Sequence, residues 1–505
     1  MISNTPPAPR PTPLWLLLTL QTAVSAASLV VEIVAGRMLA PHVGMSLYTW
    51  TSIIAVVLAG FSAGHWWGGR LAERPLGSAL ARTGGALLAA ALTTGGAVSL
   101  LRLLAGPVLT AVDHPVWGIT AISLVVFFLP SFFAGVPAPV LAHVAVQGAK
   151  KPGRALGAIF AAGAVGAIAG TLLAGFLFIS WLGTAATLAV VTATYVLAGA
   201  LLLWLSRARA FRVAGVASLA ALGLAGLALS APNPCTVEST YFCIRTVDMS
   251  ADPDSPVHLM VIDHLGHGMS ARDVPTVMFT EHAAMLDELA RRRAPRPAFT
   301  SFFIGGGSYS IPRAFQNHGT GAMTVAEIDP AVTALAERDF WFDPAGITIL
   351  HEDARRALLT RPDTHYDVII GDAFTDVVVP VHLVTREFFE LARDRLTEDG
   401  TLLMNVIDYE DRLQALSSVV ATLQEVFPSV EVWTQAGPPE PGSRMVFVIA
   451  AGNQPSPFDT FNAPMPYRMT FGALADRFVQ QLADARGQVL TDDYAPIDRL
   501  IGRPD

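Results

Sequence analysis

Residues 302–315 read FFIGGGSYSIPRAF, an apolar run that breaks into three glycines before a helical pattern begins. Glycine has no Cβ, so the backbone of such a turn can approach a ligand closely, and the following helix directs free N–H groups the same way. No lysine follows the glycines, which excludes a P-loop. Gly305, Gly307 and Ser310 match a dinucleotide-binding fingerprint only in part. The stretch therefore predicts a nucleotide-binding turn or, as the simpler alternative, a plain tight turn.

Acidic residues stand at the ends of the three apolar runs that follow the glycine turn. Glu327 comes 20 residues after Gly307, where a carboxylate typically accepts the ribose hydroxyls of a nucleotide. Asp353 lies in ILHEDARRAL, and Asp372 ends YDVIIGD. A single carboxylate at a strand end is often only a helix cap, and this reading stays open for Asp353. Because parallel strands end at one edge of a sheet, we expect all three carboxylates beside the glycine turn.

The region from residue 301 onward alternates short apolar runs with helical patterns, which predicts a mostly parallel sheet covered on both faces. Shorter alternating runs at 240–247 and 258–263 predict a small β-domain before it. The sequence thus predicts three domains: a helical one over 1–230, a β-domain over 231–298 and an α/β domain over 299–505. The expected strands are 301–304, 323–327, 347–350, 367–371, 401–407, 430–434 and 444–450, and the expected helices are 310–317, 330–339, 384–396 and 411–425.

The first 230 residues are too apolar for a soluble domain. Mean hydropathy over the chain is +0.47 and 15% of residues are charged, which is typical of a membrane protein. Stretches long enough to cross a bilayer predict about seven spans near 14–36, 49–69, 83–105, 116–145, 155–180, 183–205 and 212–230.

Charge is distributed unevenly along the chain. Residues 1–230 hold 12 Lys and Arg against 3 Asp and Glu, and residues 231–505 hold 21 against 38. The acidic half argues against a nucleic-acid partner and is compatible with a cationic small molecule. Basic residues concentrate in three alternate loops, which predicts that these loops are cytoplasmic and that residue 231 onward lies outside. They are Arg70, Arg74 and Arg82; Lys150, Lys151 and Arg154; and Arg207, Arg209 and Arg212.

Cys235 and Cys243 are the two cysteines of the chain. With no histidine partner nearby they make a poor zinc site, and no metal is expected. They predict a disulfide if the domain faces an oxidising compartment, or ordinary thiols if it faces the cytosol, and both remain open.

The motifs FFIGGG, VAEIDP, HEDARRAL and YDVIIGD, in this order, resemble those of the spermidine synthases, aminopropyltransferases with a Rossmann-like methyltransferase-type fold. The helical front half resembles their membrane-fused bacterial relatives, and GHWWGGRLAERP, residues 64–75, resembles a loop of major facilitator transporters. The segment from Glu238 to Ile244 is similar to the family's β-domain. The resemblance implies a multi-pass protein of the bacterial inner membrane that contacts the lipid bilayer, and it leaves a homodimer open.

The resemblance also implies roles for individual residues. Decarboxylated S-adenosylmethionine, or S-adenosylmethionine itself, would be the donor, and a polyamine or other amine the acceptor. The implied donor site consists of Gly305, Gly306, Gly307, Ser308, Glu327, which would bind the ribose, and Asp353, which would bind the adenine amino group. Asp372 would be the catalytic base. Asp376, Glu281 and Tyr241 are the implied substrate-binding residues.

The sequence departs from the family pattern near the acceptor. Ser308 stands where the family has an aspartate that holds the donor's amine, and His267 stands where it has glutamine. Asp372 and Asp376 are four residues apart instead of three, and FTEHAAM replaces the usual Tyr-His-Glu run. Two alternatives to an aminopropyltransferase therefore stay open: a methyltransferase acting on a lipid or other membrane-delivered acceptor, and a non-catalytic transport or sensing protein for polyamines or nucleosides. The cytosolic supply of such donors also favours an inside C-terminal domain, against the charge rule.

Overall fold

The computed structural model of the chain describes residues 12–112, 114–207, 211–373 and 379–501. The chain divides into two compact units, Met1–Cys243 and Ile244–Asp505. The segment predicted as a separate β-domain is shared between these units. Its beginning, up to Cys243, belongs with the helices. Within this part a disulfide joins Cys235 to Cys243, one of the two alternatives that the sequence left open.

The first unit is a bundle of apolar helices, each of which satisfies its backbone hydrogen bonds internally. Helix α1 packs against α6, α2 against α4, and α3 against α7. The helices are α1 (Leu14–Val43), α2 (Leu47–Ala72), α3 (Leu76–Ala111), α4 (Pro115–Gly135), α5 (Pro137–Gln147), α6 (Pro152–Leu173), α7 (Ile179–Ser206) and α8 (Phe211–Ser230).

Six helical runs in the described part of the chain are long and apolar enough to cross a bilayer, where the sequence predicts about seven spans. The difference lies in the 55-residue run Pro152–Ser206, in which a π-helical turn, Ala174–Phe178, joins α6 to α7. A straight helix of that length would measure about 80 Å, far more than a bilayer core of ~30 Å. Gly183 interrupts it with φ 74° and ψ 173°, a non-helical conformation that glycine adopts without strain. The predicted boundary between the fifth and sixth spans falls at this break.

The segment after α8 is tied back to the bundle. It contains the short strand β1 (Val237–Glu238) and the disulfide between Cys235 and Cys243. The guanidinium of Arg37, near the end of α1, donates hydrogen bonds to the carbonyl oxygens of Ser239, at 3.0 Å, and Tyr241. These links fix the segment against the end of the bundle.

The second unit begins with an antiparallel sheet in which β2 (Cys243–Asp248) pairs with β3 (Val257–Ile262) and β3 with β4 (Leu265–Ala271). Helix α9 (Glu281–Arg293) follows and leads into the large sheet. The sequence pattern predicts no helix over these residues.

A nine-stranded mixed sheet forms the centre of the second unit, in the order β12-β13-β10-β11-β9-β8-β5-β6-β7. Strands β9, β8, β5, β6 and β7 are parallel neighbours, and the other pairs are antiparallel. The strands are β5 (Ser301–Ile304), β6 (Met323–Ala326), β7 (Ile347–Leu350), β8 (Tyr366–Gly371), β9 (Leu396–Tyr409), β10 (Ser429–Gln435), β11 (Arg444–Gly452), β12 (Thr460–Ala463) and β13 (Met469–Ala473).

Helices cover this sheet and close its hydrophobic core. Phe302, Ile369 and Leu402, from three adjacent parallel strands, are fully buried with Phe388 and Leu416 from the covering helices. The helices are α10 (Ser310–His318), α11 (Pro330–Asp339), α12 (Ala354–Leu359), α13 (Arg386–Arg393), α14 (Gln414–Gln424), α15 (Asp476–Arg486) and α16 (Ile497–Ile501). The predicted fold class, a helical bundle of apolar spans followed by a small β-sheet and a Rossmann-like α/β domain, is confirmed.

Candidate active site

The glycine turn follows β5 at the carboxyl edge of the parallel strands. Gly305 and Gly307 have φ of 88° and 52°, in the left-handed region that favours glycine. The N–H of Gly305 donates to the carbonyl of Ala326 at the end of β6. A Cβ on Gly305 would lie 3.1 Å from the carbonyl oxygen of Asp372. The turn therefore lies directly between the ends of β6 and β8.

Part of the need for glycine in this turn comes from the protein itself. A Cβ on Gly306 would overlap the buried ring of Tyr309, and one on Gly307 would lie 2.6 Å from the carbonyl oxygen of His267. The Tyr309 hydroxyl and the Thr333 hydroxyl share a hydrogen bond of 2.7 Å, which holds the ring in place. At these two positions the missing Cβ makes room for neighbouring protein groups, which differs from the sequence expectation of room for a ligand.

Glu327 faces the turn from the end of β6. Its Oε2 accepts a hydrogen bond from the N–H of Gly306 at 2.8 Å, and its Oε1 accepts one from the N–H of Asp329 at 2.9 Å. The side chain is buried, and burial raises the pKa of the carboxyl group above its usual value. Each carboxylate oxygen has two lone pairs, so both oxygens can still accept a further hydrogen bond. The predicted pairing of Glu327 with the glycine turn is thus present.

Asp353 ends the loop after β7 and is a helix cap, the simpler reading that the sequence left open. Its Oδ1 accepts a hydrogen bond from the N–H of Arg356 in α12 at 2.9 Å. Its Oδ2 lies 2.7 Å from Nε2 of His382. The side chain is about one third exposed, so the carboxylate has open lone pairs as well as these two partners.

Asp372, after β8, lies between two side chains that the sequence analysis did not single out. The side-chain amide of Asn405, on β9, donates to Oδ1 at 2.9 Å. Nε2 of His282, at the start of α9, lies 3.8 Å from Oδ2. The Asp372 side chain is one quarter exposed, so a substrate can reach it. His282 could have been found from the sequence, because it lies in the FTEHAAM run that replaces a family motif. Asn405 could not, because it is a single amide within an apolar strand.

Two further histidines lie on and beside β4, next to the turn. The pKa of His267 is lowered to about 4, first by burial and then by the neighbouring charges of His282 and His264. Burial and two arginines, Arg444 and Arg245, lower the pKa of His264. Both imidazoles are therefore neutral at pH 7, and they add no positive charge to a site that would receive a cationic donor.

The remaining predicted residues are dispersed. Ser308 is 1% exposed, its Oγ has no hydrogen-bond partner within the described chain, and a Cβ on Gly268 would overlap it. Glu281 lines a cavity of about 320 Å³ together with residues of the loop between β10 and β11. Tyr241 belongs to the first compact unit and is 44% exposed. Asp376 lies outside the described residues.

Carboxylates and backbone N–H groups are the main polar groups at this rim, by which we mean the carboxyl edge of the parallel strands. No group of three or more His, Cys, Asp or Glu side chains in the described ranges is arranged to hold a metal ion. One hydrogen-bonded carboxylate, Glu327, sits against the glycine turn, and a second, more accessible one, Asp372, adjoins the same turn. The rim can thus hold a polyhydroxyl group and, beside it, accept a proton.

Comparison with known proteins shows what this part of the chain is similar to. A model of the spermine/spermidine synthase domain matches residues 302–460. A polyamine aminopropyltransferase of Vibrio vulnificus is 28% identical over 208 residues, which cover 39% of this chain and 68% of the relative. Polyamine aminopropyltransferase 2 of Streptomyces coelicolor is 27% identical over 372 residues, 64% of this chain and 65% of the relative.

Other matches are more distant or shorter. An N-terminal histidine N-methyltransferase of Emericella nidulans is 31% identical over 170 residues, 32% of this chain and 30% of the relative. The crystal structure of a probable spermidine synthase from Corynebacterium glutamicum covers 52% of this chain and 97% of its own, with 22% identity and a TM-score of 0.43. The chain thus spans about two thirds of the Vibrio and Streptomyces relatives and less than a third of the methyltransferase.

Proposed function

We propose that this chain, whose C-terminal half carries a spermidine synthase-like transferase domain, is a membrane-anchored aminopropyltransferase. It transfers the aminopropyl group of decarboxylated S-adenosylmethionine to a polyamine such as putrescine. Its apolar helices anchor it in a membrane, which we propose to be the bacterial inner membrane. A homodimer belongs to the same proposal, and the mass of the detergent-solubilised protein tests it.

The contact between Gly306 and Glu327 carries this proposal. The 2.8 Å hydrogen bond from the Gly306 N–H holds a buried carboxylate against the glycine turn, and each of its oxygens has a second lone pair beyond the hydrogen bond that it accepts from the backbone. Two vicinal hydroxyls of a ribose fit this arrangement, because each can donate to one oxygen. In this proposal Asp353 accepts the adenine amino group on the neighbouring strand end, and the backbone of Gly305, Gly306, Gly307 and Ser308 lines the donor.

Asp372 is the proposed base. A putrescine ammonium, with a pKa near ~10 by analogy with lysine, must lose a proton before its nitrogen can attack. The donor's sulfonium supplies an electrophilic carbon. As the nitrogen lone pair forms the new N–C bond, the C–S bond breaks and its electron pair stays on sulfur. The amine proton passes to Asp372, whose carboxylate Asn405 orients. Alignment of the amine, carbon and sulfur supplies much of the rate.

Acidic side chains near Asp372 are proposed to hold the far end of the diamine. Glu281 lines the cavity beside the β10–β11 loop and directly precedes His282, whose ring faces Asp372. Burial raises the pKa of Glu281, so a bound ammonium would favour its ionised form. Asp376 is a further proposed acceptor residue.

One observation favours a second candidate, an S-adenosylmethionine-dependent methyltransferase acting on a lipid or other membrane-delivered acceptor. Ser308 replaces the carboxylate that would pair with the donor's aminopropyl ammonium, and its hydroxyl is buried without a partner in the described residues. A site without that negative charge discriminates less against the amino acid group of S-adenosylmethionine. The N-methyltransferase among the relatives supports the same candidate.

Mass spectrometry of products separates these candidates. The purified full-length protein is incubated with putrescine in two separate reactions, one with decarboxylated S-adenosylmethionine and one with S-adenosylmethionine. Release of methylthioadenosine with formation of spermidine supports aminopropyl transfer, and release of S-adenosylhomocysteine supports methyl transfer. Binding of either donor without turnover over a panel of amines and lipids would contradict both enzymes and favour the transport or sensing protein.

A further inference from the structure

A cavity of about 500 Å³ opens at one end of the helical bundle, within the first compact unit. It lies among the ends of α1 and α8, the second half of α3, the break at Gly183 in α7, and the segment 231–238. Arg102 stands 26 residues after the start of α3, so it is about 39 Å along the axis from the basic loop that precedes this helix. The cavity is thus at the opposite end of the bundle from that basic loop, at the depth of a membrane interface.

The walls of the cavity are mainly apolar. Val98, Leu101, Leu182 and Leu229 line it, and small residues such as Ala186 leave the space between the helices open. If only a polar solute filled this cavity, its apolar walls would stay in contact with water, which costs free energy. The walls therefore suit a hydrocarbon chain.

Three charged side chains line the cavity, and they differ in how they are engaged. Glu238 accepts a hydrogen bond of 2.7 Å from the N–H of Thr184, the residue after the break at Gly183. Arg37 donates to the carbonyls of Ser239 and Tyr241. The guanidinium of Arg102 has no ion pair or hydrogen bond to another described residue, although it faces the same space.

This charge pattern selects the class of ligand. Two guanidinium groups against one carboxylate, itself held by a backbone N–H, leave an excess of positive charge, which disfavours a polyamine in this cavity. A guanidinium presents a planar fork of donors that matches the oxygens of a phosphate. We propose that the cavity binds an anionic phospholipid from the bilayer, with the phosphate on Arg102 and an acyl chain between α3 and α7. This inference rests on the membrane anchoring proposed above but not on the transferase reaction.

Native mass spectrometry of the full-length protein tests the proposal. The protein is exchanged into detergent with equal amounts of phosphatidylglycerol and phosphatidylcholine that carry identical acyl chains. We expect phosphatidylglycerol to be retained about two- to fivefold over phosphatidylcholine, as one ion pair near a surface provides. Arg102→Gln should abolish this preference and Arg102→Lys should keep most of it. Arg82→Gln, on the same helix but away from the cavity, is the matched control and should retain the wild-type preference.

Two further measurements keep the test decisive. Ala186→Phe fills the apolar part of the cavity and should reduce retention of both lipids, and an unchanged melting temperature shows that the variant is folded. Excess inorganic phosphate should leave lipid retention unchanged; displacement of the lipid by phosphate would assign the site to small anions and overturn the lipid. Equal retention of the two lipids, or a preference that survives Arg102→Gln, would also overturn it. Transfer activity is measured in parallel and should be the same in all four variants. A loss of activity would bear on the transferase proposal and not on the lipid site.

Discussion

The side-chain amide of Asn405 donates a hydrogen bond of 2.9 Å to Oδ1 of Asp372, across the gap between two parallel strands. Gly371, at the end of β8, is the register partner of Met404, so the residues that follow each of them face one another at the sheet edge. Asn405 is 2% exposed and its Oδ1 has no partner within the described residues. A buried amide that donates a hydrogen bond to a carboxylate fixes the orientation of that carboxylate. This relationship makes Asp372 the group to test first.

Replacement of the proposed base tests its role directly. Asp372→Asn removes the proton acceptor while keeping the size of the side chain, so we expect turnover to fall by about 10²–10⁴-fold, the usual range for a general base. Donor affinity, measured by isothermal titration calorimetry, should change little because Glu327 and the glycine turn are intact. Asp363→Asn, an exposed carboxylate just before β8, should behave as the wild type. Persistence of turnover in the Asp372 variant would remove this residue from the mechanism.

The orienting amide gives a prediction for the pH–rate profile. Asn405→Asp places a second carboxylate beside Asp372, and two like charges this close disfavour ionisation of both. The acid limb of the kcat profile should therefore move to higher pH, by about 1–2 units, because the base loses its proton only at a higher pH. Asn405→Ser removes the contact without adding charge and should lower kcat without moving the limb. A profile that is the same in all three proteins would mean that Asn405 has only a packing role.

The hydrogen bonds of Glu327 to the glycine turn predict that its replacement lowers both donor affinity and stability. Glu327→Gln keeps one acceptor oxygen but turns an NH₂ group toward one of the two backbone N–H donors. A buried donor left unsatisfied costs about 1–3 kcal/mol, and loss of a charged hydrogen bond to a ribose costs about as much again. We expect a lower melting temperature and roughly 10–100-fold weaker binding of methylthioadenosine. Glu337→Gln, on the exposed side of α11, is the control and should change neither quantity.

The sequence predicts the parallel strands well because the central ones, β5 and β8, are buried on both faces and therefore appear as uninterrupted apolar runs between turns. Strands β5 to β8 start and end within about one residue of the prediction. Helix α9 is missed because eight of its thirteen residues are Glu, Asp, Arg, His or Met, and its buried face includes Asp287 and Glu288. Ion pairs to Arg291 and Arg292 make that burial tolerable, and a hydropathy pattern does not reveal such pairs.

The sequence locates the carboxylates of the site but not their partners. Glu327, Asp353 and Asp372 lie where strand ends predict, because the register of parallel strands brings those ends to one edge. The contact of His382 with Asp353 joins residues 29 positions apart through the loops that hold them. The contact of Asn405 with Asp372 joins residues 33 positions apart through the register of β8 and β9. Likewise, the glycine at 306 is explained by the ring of Tyr309, three residues later. A ligand was the natural expectation because side-chain packing within a turn leaves no periodic signal.

The lowered pKa of His267 predicts how stability depends on pH. The folded chain holds this imidazole neutral down to a pKa of about 4, whereas an unfolded histidine takes up a proton near pH 6.5. The unfolded state therefore binds more protons between these values, and the contribution of His267 to stability, complete above pH 6.5, is lost as the pH falls toward 4. At ~1.4 kcal/mol per pKa unit the loss is at most about 3.5 kcal/mol, and partial exposure of the ring reduces it.

His267→Gln tests this assignment. The variant has no titrating group at this position, so its melting temperature should fall less than that of the wild type between pH 6.5 and 4.5. His318→Gln, an exposed histidine in the last turn of α10, should reproduce the wild-type slope. Identical slopes for His267→Gln and the wild type would show that other groups account for the acid sensitivity.

The disulfide and the basic loops make one prediction about the membrane together. Disulfides persist in oxidising compartments, and the basic loops before α3 and α6 are expected inside. Both observations put Cys235, Cys243 and the chain after them outside. Alkaline phosphatase folds into an active enzyme only outside. We therefore expect activity when it is fused after residue 505 and none when it is fused after Lys151, in the loop between α5 and α6.

An outside transferase domain must meet its donor on that side. Sealed right-side-out vesicles should then turn over decarboxylated S-adenosylmethionine added to the external medium, without detergent. Inside-out vesicles should need detergent for the same rate. A phosphatase that is active only after Lys151, together with turnover only in inside-out vesicles, would place the domain in the cytosol. In that case the glutathione pool would keep Cys235 and Cys243 reduced, and non-reducing mass spectrometry of the peptide that contains them would detect two free thiols.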